Sequence, residues 1–369
     1  MTLRRISAFA TVLAVAAGVA ACGSSSTTTT SPSGGSSSSN VSATLNGAGS
    51  TLAAPIYQQW AGTLKGNGLT INYNPVGSGA GVTDLQTATV NFAGSDPALK
   101  STDTAKMKGS ALQYPVAFGA ITVSYNLSGV HSGLKLDGST LADIFLGKIK
   151  TWNDPAIKAL NPGISLPSTS ITVVHRSDSS GTTDGFTKYL SAVSSTWKSQ
   201  IGHGKDVKWP TGTGAAKNSG VAAVIKQTAG AVGYVEQAYA LENNFTFASV
   251  KNSSGTYVLP TISNTSAAAT GITVPPNLGI STINSPNPQA YPIVSQTFLV
   301  AYKDPCKDGG ANTTSAKGLK NFLTYAFGSG QHTLGSGSNQ LPYAPLPSSL
   351  VSKDQAQLAT MVCNGSPIS

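Results

Sequence analysis

From about Val41 onward, short apolar runs alternate with helical stretches, and no Pro/Gly/Ser-rich linker divides the span between about 45 and 340. Strands alternating with helices point to α/β units. At 369 residues the chain has room for about two domains of roughly 150 residues each. Two domains without a serial linker require the chain to pass between them more than once. The extended runs at 116–125 and 296–302 are the natural crossovers. Residues 69–73, 90–93 and 171–175 also read as strands. Residues 53–64, 82–87, 140–146, 185–193, 221–227 and 317–327 read as helices. A 40% hydrophobic share is enough for real cores and excludes global disorder. After the first 25 positions no apolar run reaches the roughly 18 residues of a membrane span, which excludes a multi-span membrane protein.

The first residues read as an address. Arg4 and Arg5 precede an uncharged, mostly apolar run of 14 residues, Ala8 to Ala21, which fits a signal-peptide core, residues 1–21. Val19-Ala20-Ala21-Cys22 resembles the lipobox of bacterial lipoproteins, whose cysteine is lipidated and becomes the new first residue. The alternative is an ordinary cleaved signal with an incidental cysteine. Of residues 23–39, thirteen are Ser or Thr, three are Gly and one is Pro. Such a stretch buries too little surface to fold and reads as a flexible tether, about 22–43. With lipid on Cys22, Cys306 and Cys363 remain as an even pair. In an oxidising compartment one disulfide between them is expected, tying the C-terminal segment to the strand region near Ala301. Four scattered histidines and the lack of any C-x-x-C spacing argue against a metal site.

The net charge of +9 suggests a polyanion partner at first sight. Removing the signal takes away Arg4 and Arg5 and leaves +7, carried by scattered single lysines. No basic run with interleaved aromatics exists, so no nucleic-acid partner is expected. The one arginine left is Arg176.

Three small-residue corners share one chemistry. Asn46-Gly-Ala-Gly-Ser-Thr51 leads to a helix expected near Leu52. Val76-Gly-Ser-Gly-Ala-Gly81 leads to one expected near Val82. Ser177-Asp-Ser-Ser-Gly-Thr-Thr183 leads into the helix through Phe186 and Tyr189. Free N–H groups, the positive end of the helix dipole and Ser/Thr hydroxyls make such corners anion sites. Arg176 stands beside the third. Its planar fork grips an oxyanion, and Asp178 is near enough in sequence to hold it. Asp96 ends the run Val90-Asn-Phe-Ala-Gly-Ser-Asp96. A carboxylate at an anion site makes sense if the anion still carries a proton, because an ionised carboxylate only accepts hydrogen bonds. Hydrogen phosphate can donate one; fully ionised sulfate cannot.

These residues match a family pattern. The chain resembles the periplasmic phosphate-binding proteins of the high-affinity bacterial phosphate ABC importers, in their lipoprotein form. The matching segments are LNGAGSTLAAPIYQQW (45–60), YNPVGSGAGVTDL (73–85), VNFAGSDPAL (90–99), LADIFLGKIKTWNDPAI (141–157), ITVVHRSDSSGTTDGFTKYL (171–190), VKWPTGTG (207–214), AVGYVEQAYA (231–240) and YPIVSQTFLVAYKD (291–304). The resemblance implies a two-lobed α/β fold of the type II-like periplasmic binding proteins, its lobes joined by two crossover strands and closing on the ligand like a hinge. It places 44–120 and 298–369 in lobe 1 and 121–297 in lobe 2. It implies phosphate contacts from Thr51, Leu52, Ser78, Asp96, Arg176, Asp178, Ser180, Gly181 and Thr182. Relatives carry phenylalanine where Leu52 stands. It implies no cofactor, a monomer outside the cytoplasm held to the cell membrane through lipid on Cys22, and a membrane permease as partner.

Two other function classes have weaker support in the sequence. A serine hydrolase lacks support: no G-x-S-x-G occurs, and Ser195-Thr-Trp-Lys198 has no accompanying K-T-G. A phosphatase using His175 is disfavoured, because strand alternation turns neighbouring side chains to opposite faces. A binding protein for another tetrahedral oxyanion, sulfate or molybdate, differs from a phosphate binder at Asp96.

Overall fold

The computed structural model describes residues 41–369. The signal, Cys22 and nearly all of the Ser/Thr-rich tract lie outside the described residues.

One curled nine-stranded sheet carries the architecture. Its first part is parallel: β1 (Ala43–Gly49) lies between β2 (Leu69–Asn74) and β3 (Phe92–Ser95). Helices α1 (Ala54–Lys65) and α2 (Ser78–Gln86) follow β1 and β2. The long strand β4 (Ala111–Tyr125) runs through the middle of the sheet. Then come β5 (Thr172–Arg176), α3 (Gly181–Val193), β6 (Thr213–Ala215), α4 (Lys217–Gln227), β7 (Ala231–Glu236) and α5 (Gln237–Glu242). The chain returns along β8 (Val294–Tyr302) to α6 (Thr313–Ala326). The strand order is β2-β1-β3-β8-β4-β7-β5-β6, with the short strand Thr246–Phe247 also paired to β4.

β4 changes partner part-way along. From Ala111 to Ala120 it pairs antiparallel with β8, and from Ile121 to Tyr125 with β7. One strand therefore belongs to two α/β halves, and β8 runs alongside it. All of β8 is buried, as is β4 from Gln113 onward, so neither shows a polar face alternating with an apolar one. The β8–β4 register shifts between Thr297 and Phe298. Such a bulge re-aims a side chain.

Helix α1 buries Ile56, Tyr57, Trp60 and Leu64, the spacing of one helical face. Its rings meet an aromatic cluster: Tyr57 lies 5.7 Å from Phe92, and Trp60 6.3 Å from Phe322 of α6. In the other half, Phe186 of α3 stacks on Tyr234 of β7 at 4.4 Å. A disulfide joins Cys306 to Cys363, with their Cα atoms 5.0 Å apart. It ties the C-terminal segment just beyond the end of β8.

Several boundaries differ from the sequence reading. β1 and β7 were not expected as strands. Asn-Gly-Ala-Gly reads as a turn, yet in β1 those small residues admit close neighbours. Helix α2 starts at Ser78, not near Val82, so Gly79 and Gly81 lie inside it. Gly77 takes a positive φ of 95° to make the turn. The helix after the first corner begins at Ala54, leaving Ser50 to Ala53 as the corner itself.

Candidate functional site

The three corners converge. The N–H of Gly77 donates to the Gly49 carbonyl (2.8 Å), joining the first corner to the second. The N–H of Gly79 donates to the Ser179 carbonyl (3.1 Å), joining the second to the third. Gly181, the first residue of α3, faces Asp96 and Ser78 so closely that a Cβ would come within 2.3 Å of Asp96 Oδ2. Only glycine fits there, and the start of α3 is thereby brought against the end of β3.

Asp96 forms one wall. It is buried, and three hydroxyls donate to its carboxylate. Ser50 Oγ and Thr297 Oγ1 (3.0 Å) donate to Oδ1, and Ser78 Oγ (3.3 Å) to Oδ2. Thr297 stands at the β8 bulge, which accounts for a side chain of a crossover strand reaching the site. Burial pushes the Asp96 carboxyl up from its ordinary value to about 6. The Ser50 and Thr297 bonds, the positive charge of Arg176 and the Ser78 bond hold it from rising further.

Arg176 forms the opposite wall, at the end of β5. Its Nε donates to Asp178 Oδ1 at 2.6 Å, and Nη2 donates to Oδ2. Its backbone N–H donates to the Tyr234 hydroxyl at 3.0 Å. The remaining nitrogen, Nη1, is buried and meets no acceptor among the described residues. A buried guanidinium donor without a partner is costly, so an acceptor belongs there. Asp178 is also held: burial would raise its carboxyl, but the bonds and charge of Arg176 and the Lys217 N–H (2.9 Å) bring it below its usual range.

The helix start and the first corner supply neutral donors. Ser180 caps α3, its Oγ accepting from the Thr183 N–H at 3.1 Å. The N–H groups of Gly181 and Thr182 sit in the first turn, where no carbonyl of the helix can reach them. Thr51 is buried, and its carbonyl accepts from the Tyr239 hydroxyl at 2.9 Å. Leu52 is fully buried with its side chain over Gly119 of β4, while its carbonyl accepts from Tyr343 at 2.7 Å. The backbone at Leu52 thus faces the corner and its side chain the core.

Contacts link the sequence-expected residues: Ser78 and Gly181 lie against Asp96, Asp178 grips Arg176, Ser180 caps the helix that begins with Gly181 and Thr182, and Asn218 touches both Thr51, the neighbour of Leu52, and Thr182. A cavity of about 240 Å³ adjoins the cleft, lined by Asp96, Asp184, Gly185 and the inner face of β8. Sequence reasoning missed Ser50, Thr297, Asn218, Tyr234 and Tyr239. Ser50 lay inside a quoted motif and could have been found as a Ser beside the corner. Tyr234, Tyr239 and Thr297 lay inside the family-like segments 231–240 and 291–304 but, like Asn218, come from distant elements whose contact with the corners no local pattern marks. His175 turns away from the cleft. Its ring stacks on Trp209 at 4.7 Å, and burial lowers its pKa, so it faces no group it could serve as a base.

Comparison with known proteins gives the family and the fold. A family model described as a PBP superfamily domain matches residues 34–329. The phosphate-binding protein PstS of Pasteurella multocida is 40% identical over 323 residues, covering 86% of this chain and 91% of its own. The chain belongs to the family of these phosphate-binding proteins. PstS of Haemophilus influenzae is 39% identical over 323 residues, covering 86% of this chain and 93% of its own. Among solved structures, a high-affinity periplasmic phosphate-binding protein (PfluDING) bound with phosphate superposes with a TM-score of 0.65 at 23% identity. The match covers 85% of this chain and 93% of that one. That likeness establishes the two-lobed binding-protein fold expected from the sequence.

Proposed function

We propose that this protein captures inorganic phosphate in the cleft between its two halves and hands it to an ABC permease in the membrane. The observation that carries the reading is the pair of opposed groups. Arg176 keeps one buried donor unspent. Across the cleft Asp96 is a buried acceptor. An anion that needs a strong donor on one side and carries a proton on the other satisfies both. Hydrogen phosphate is such an anion, and sulfate at neutral pH is not.

In this mechanism Arg176 Nη1, held in place by Asp178, meets one or two phosphate oxygens. The N–H groups of Gly181 and Thr182 and the hydroxyls of Thr51, Ser180 and Thr182 meet others, while Ser78 takes part through Asp96, to which its hydroxyl donates. The Leu52 N–H contributes from the first corner. Asp96 accepts the phosphate proton. The lobes are 44–120 with 298–369 and 121–297, and their approach removes the anion from water, where these donors act more strongly. The phosphate is held and released unchanged.

The protein works outside the cytoplasm as a monomer, tethered through lipid on Cys22 and the Ser/Thr-rich segment after it. Mass analysis of the native protein tests the anchor: a lipid-modified Cys22 terminus is expected, and an unlipidated mature terminus would remove that part of the account. Isothermal titration with phosphate and with sulfate tests the main reading. Phosphate should bind far more tightly at neutral pH, and equal affinities would defeat the role given to Asp96.

A further inference from the structure

Asn218, the second residue of α4, is fully buried and touches two of the hydroxyls just assigned to phosphate. Its Nδ2 lies 2.9 Å from Thr51 Oγ1 and 3.4 Å from Thr182 Oγ1. Its Oδ1 accepts the Glu236 N–H at 3.1 Å. A backbone N–H can only donate, so the amide oxygen must face Glu236 and the amide nitrogen must face the two threonines. The orientation of the amide is thereby fixed by its neighbours.

That orientation has a chemical consequence. An amide nitrogen has two hydrogens and no accepting lone pair. Both threonine hydroxyls must therefore accept from Asn218, and the hydrogen of each is left free to point elsewhere. An oxyanion offers lone pairs and needs donors. Thr51 belongs to the first corner and Thr182 to the start of α3, on opposite sides of the cleft. The position of Asn218 is itself tied to the charged wall. Asp178, which grips Arg176, also accepts the N–H of Lys217, the residue before Asn218. Helix α4 has no side-chain cap of its own, so Asp178 serves its first N–H from another element.

We propose that Asn218 is a positioning residue that holds the Thr51 and Thr182 hydroxyls as donors toward the bound anion while clasping the two sides of the cleft together. This rests on the reading of the cleft as the phosphate site. Asn218 touches no part of the anion itself. It acts by removing the hydroxyl orientations in which a threonine would present its oxygen to another oxygen.

Titration calorimetry on the full mature chain, with inorganic phosphate as the probe, tests this on Asn218→Ala, Thr182→Val, the double variant and Asn218→Asp. Asn218→Ala should weaken phosphate binding about 10- to 100-fold, the scale of a lost hydrogen bond to a charged group. If it acts through the hydroxyls, the double variant should lose less than the product of the two single losses. Asn218→Asp keeps the shape but accepts where the amide donated, so it should capture both hydroxyl hydrogens and bind phosphate more weakly than Asn218→Ala. Thermal melting of each variant without phosphate confirms that it is folded; if the alanine variant is unfolded, Asn218→Asp decides against the parent, with a loss of more than about 10-fold expected and binding within twofold of the parent overturning the proposal. Asn218→Ala binding within twofold of the parent, losses that simply multiply, or Asn218→Asp binding as well as Asn218→Ala would each overturn the proposal. A parent protein that binds no phosphate would overturn the function itself, a result distinct from any of these.

Discussion

The two walls of the cleft solve opposite problems. The Asp96 wall, built from β1, β3, α2 and β8, surrounds one carboxylate with three hydroxyl donors. The Arg176 wall, built from β5, α3 and α4, commits two of three guanidinium nitrogens to Asp178 and leaves the third buried with no acceptor among the described residues. One wall carries an acceptor kept ionisable by hydroxyls; the other carries a donor whose charge is paired with a carboxylate. In the proposed mechanism this contrast puts affinity and selectivity on different sides: charge recognition with Arg176, and recognition of the ligand's proton with Asp96.

Removing the charged wall should cost most. Arg176→Met is expected to weaken phosphate binding by about a thousandfold or more, because it deletes the unspent donor and leaves Asp178 without its cation. Titration calorimetry reads this directly. A loss of tenfold or less would mean that the neutral donors dominate, and the division between the walls would fail.

Asp96→Asn should cost less for phosphate, about 10- to 100-fold, and should improve sulfate binding. An unchanged ratio between the two anions would move selectivity away from this wall. The pH dependence sharpens the same point. Burial raises Asp96 to about 6, above the value near 4 of an exposed Asp. The preference for phosphate over sulfate should therefore shrink as pH falls through about 6. For stability the sign follows from the raised value. The Asp96 contribution is fully present below the unfolded value near 4 and is lost as pH rises through about 6. Melting curves of the unliganded protein should show this slope, and Asp96→Asn should remove it. Identical pH profiles for parent and variant would show that Asp96 does not titrate in this range.

The smallest effect is expected at Leu52. Its side chain packs over Gly119 in the core, so Leu52→Phe crowds that contact and lowers the melting temperature. Phosphate affinity should change by no more than about threefold, since only the backbone at this position faces the corner. A larger change in affinity than in stability would assign the side chain a place in the cleft.

Local signals in the sequence carried much of this site. Glycines followed by Ser or Thr at helix starts mark anion corners, and one arginine among lysines marks itself. The extended runs at 116–125 and 296–302 read as crossovers, and both lie within long strands buried on both faces. What the sequence hid depends on contacts far apart along the chain. Thr297 reaches Asp96 across 201 positions and Asn218 reaches Thr51 across 167. No periodicity encodes either contact. β1 was hidden for another reason: Asn-Gly-Ala-Gly has poor strand propensity, and it is a strand only because β2 and β3 pair on both of its sides.

The central claim is that one anion bridges the two walls. A crystal structure of the protein grown with phosphate tests it most directly. The account predicts a tetrahedral anion within hydrogen-bond distance of Arg176 Nη1, of the Thr51 and Thr182 hydroxyls and of the Asp96 carboxylate. An anion bound away from Arg176 Nη1, or one that leaves Asp96 without contact, would contradict it.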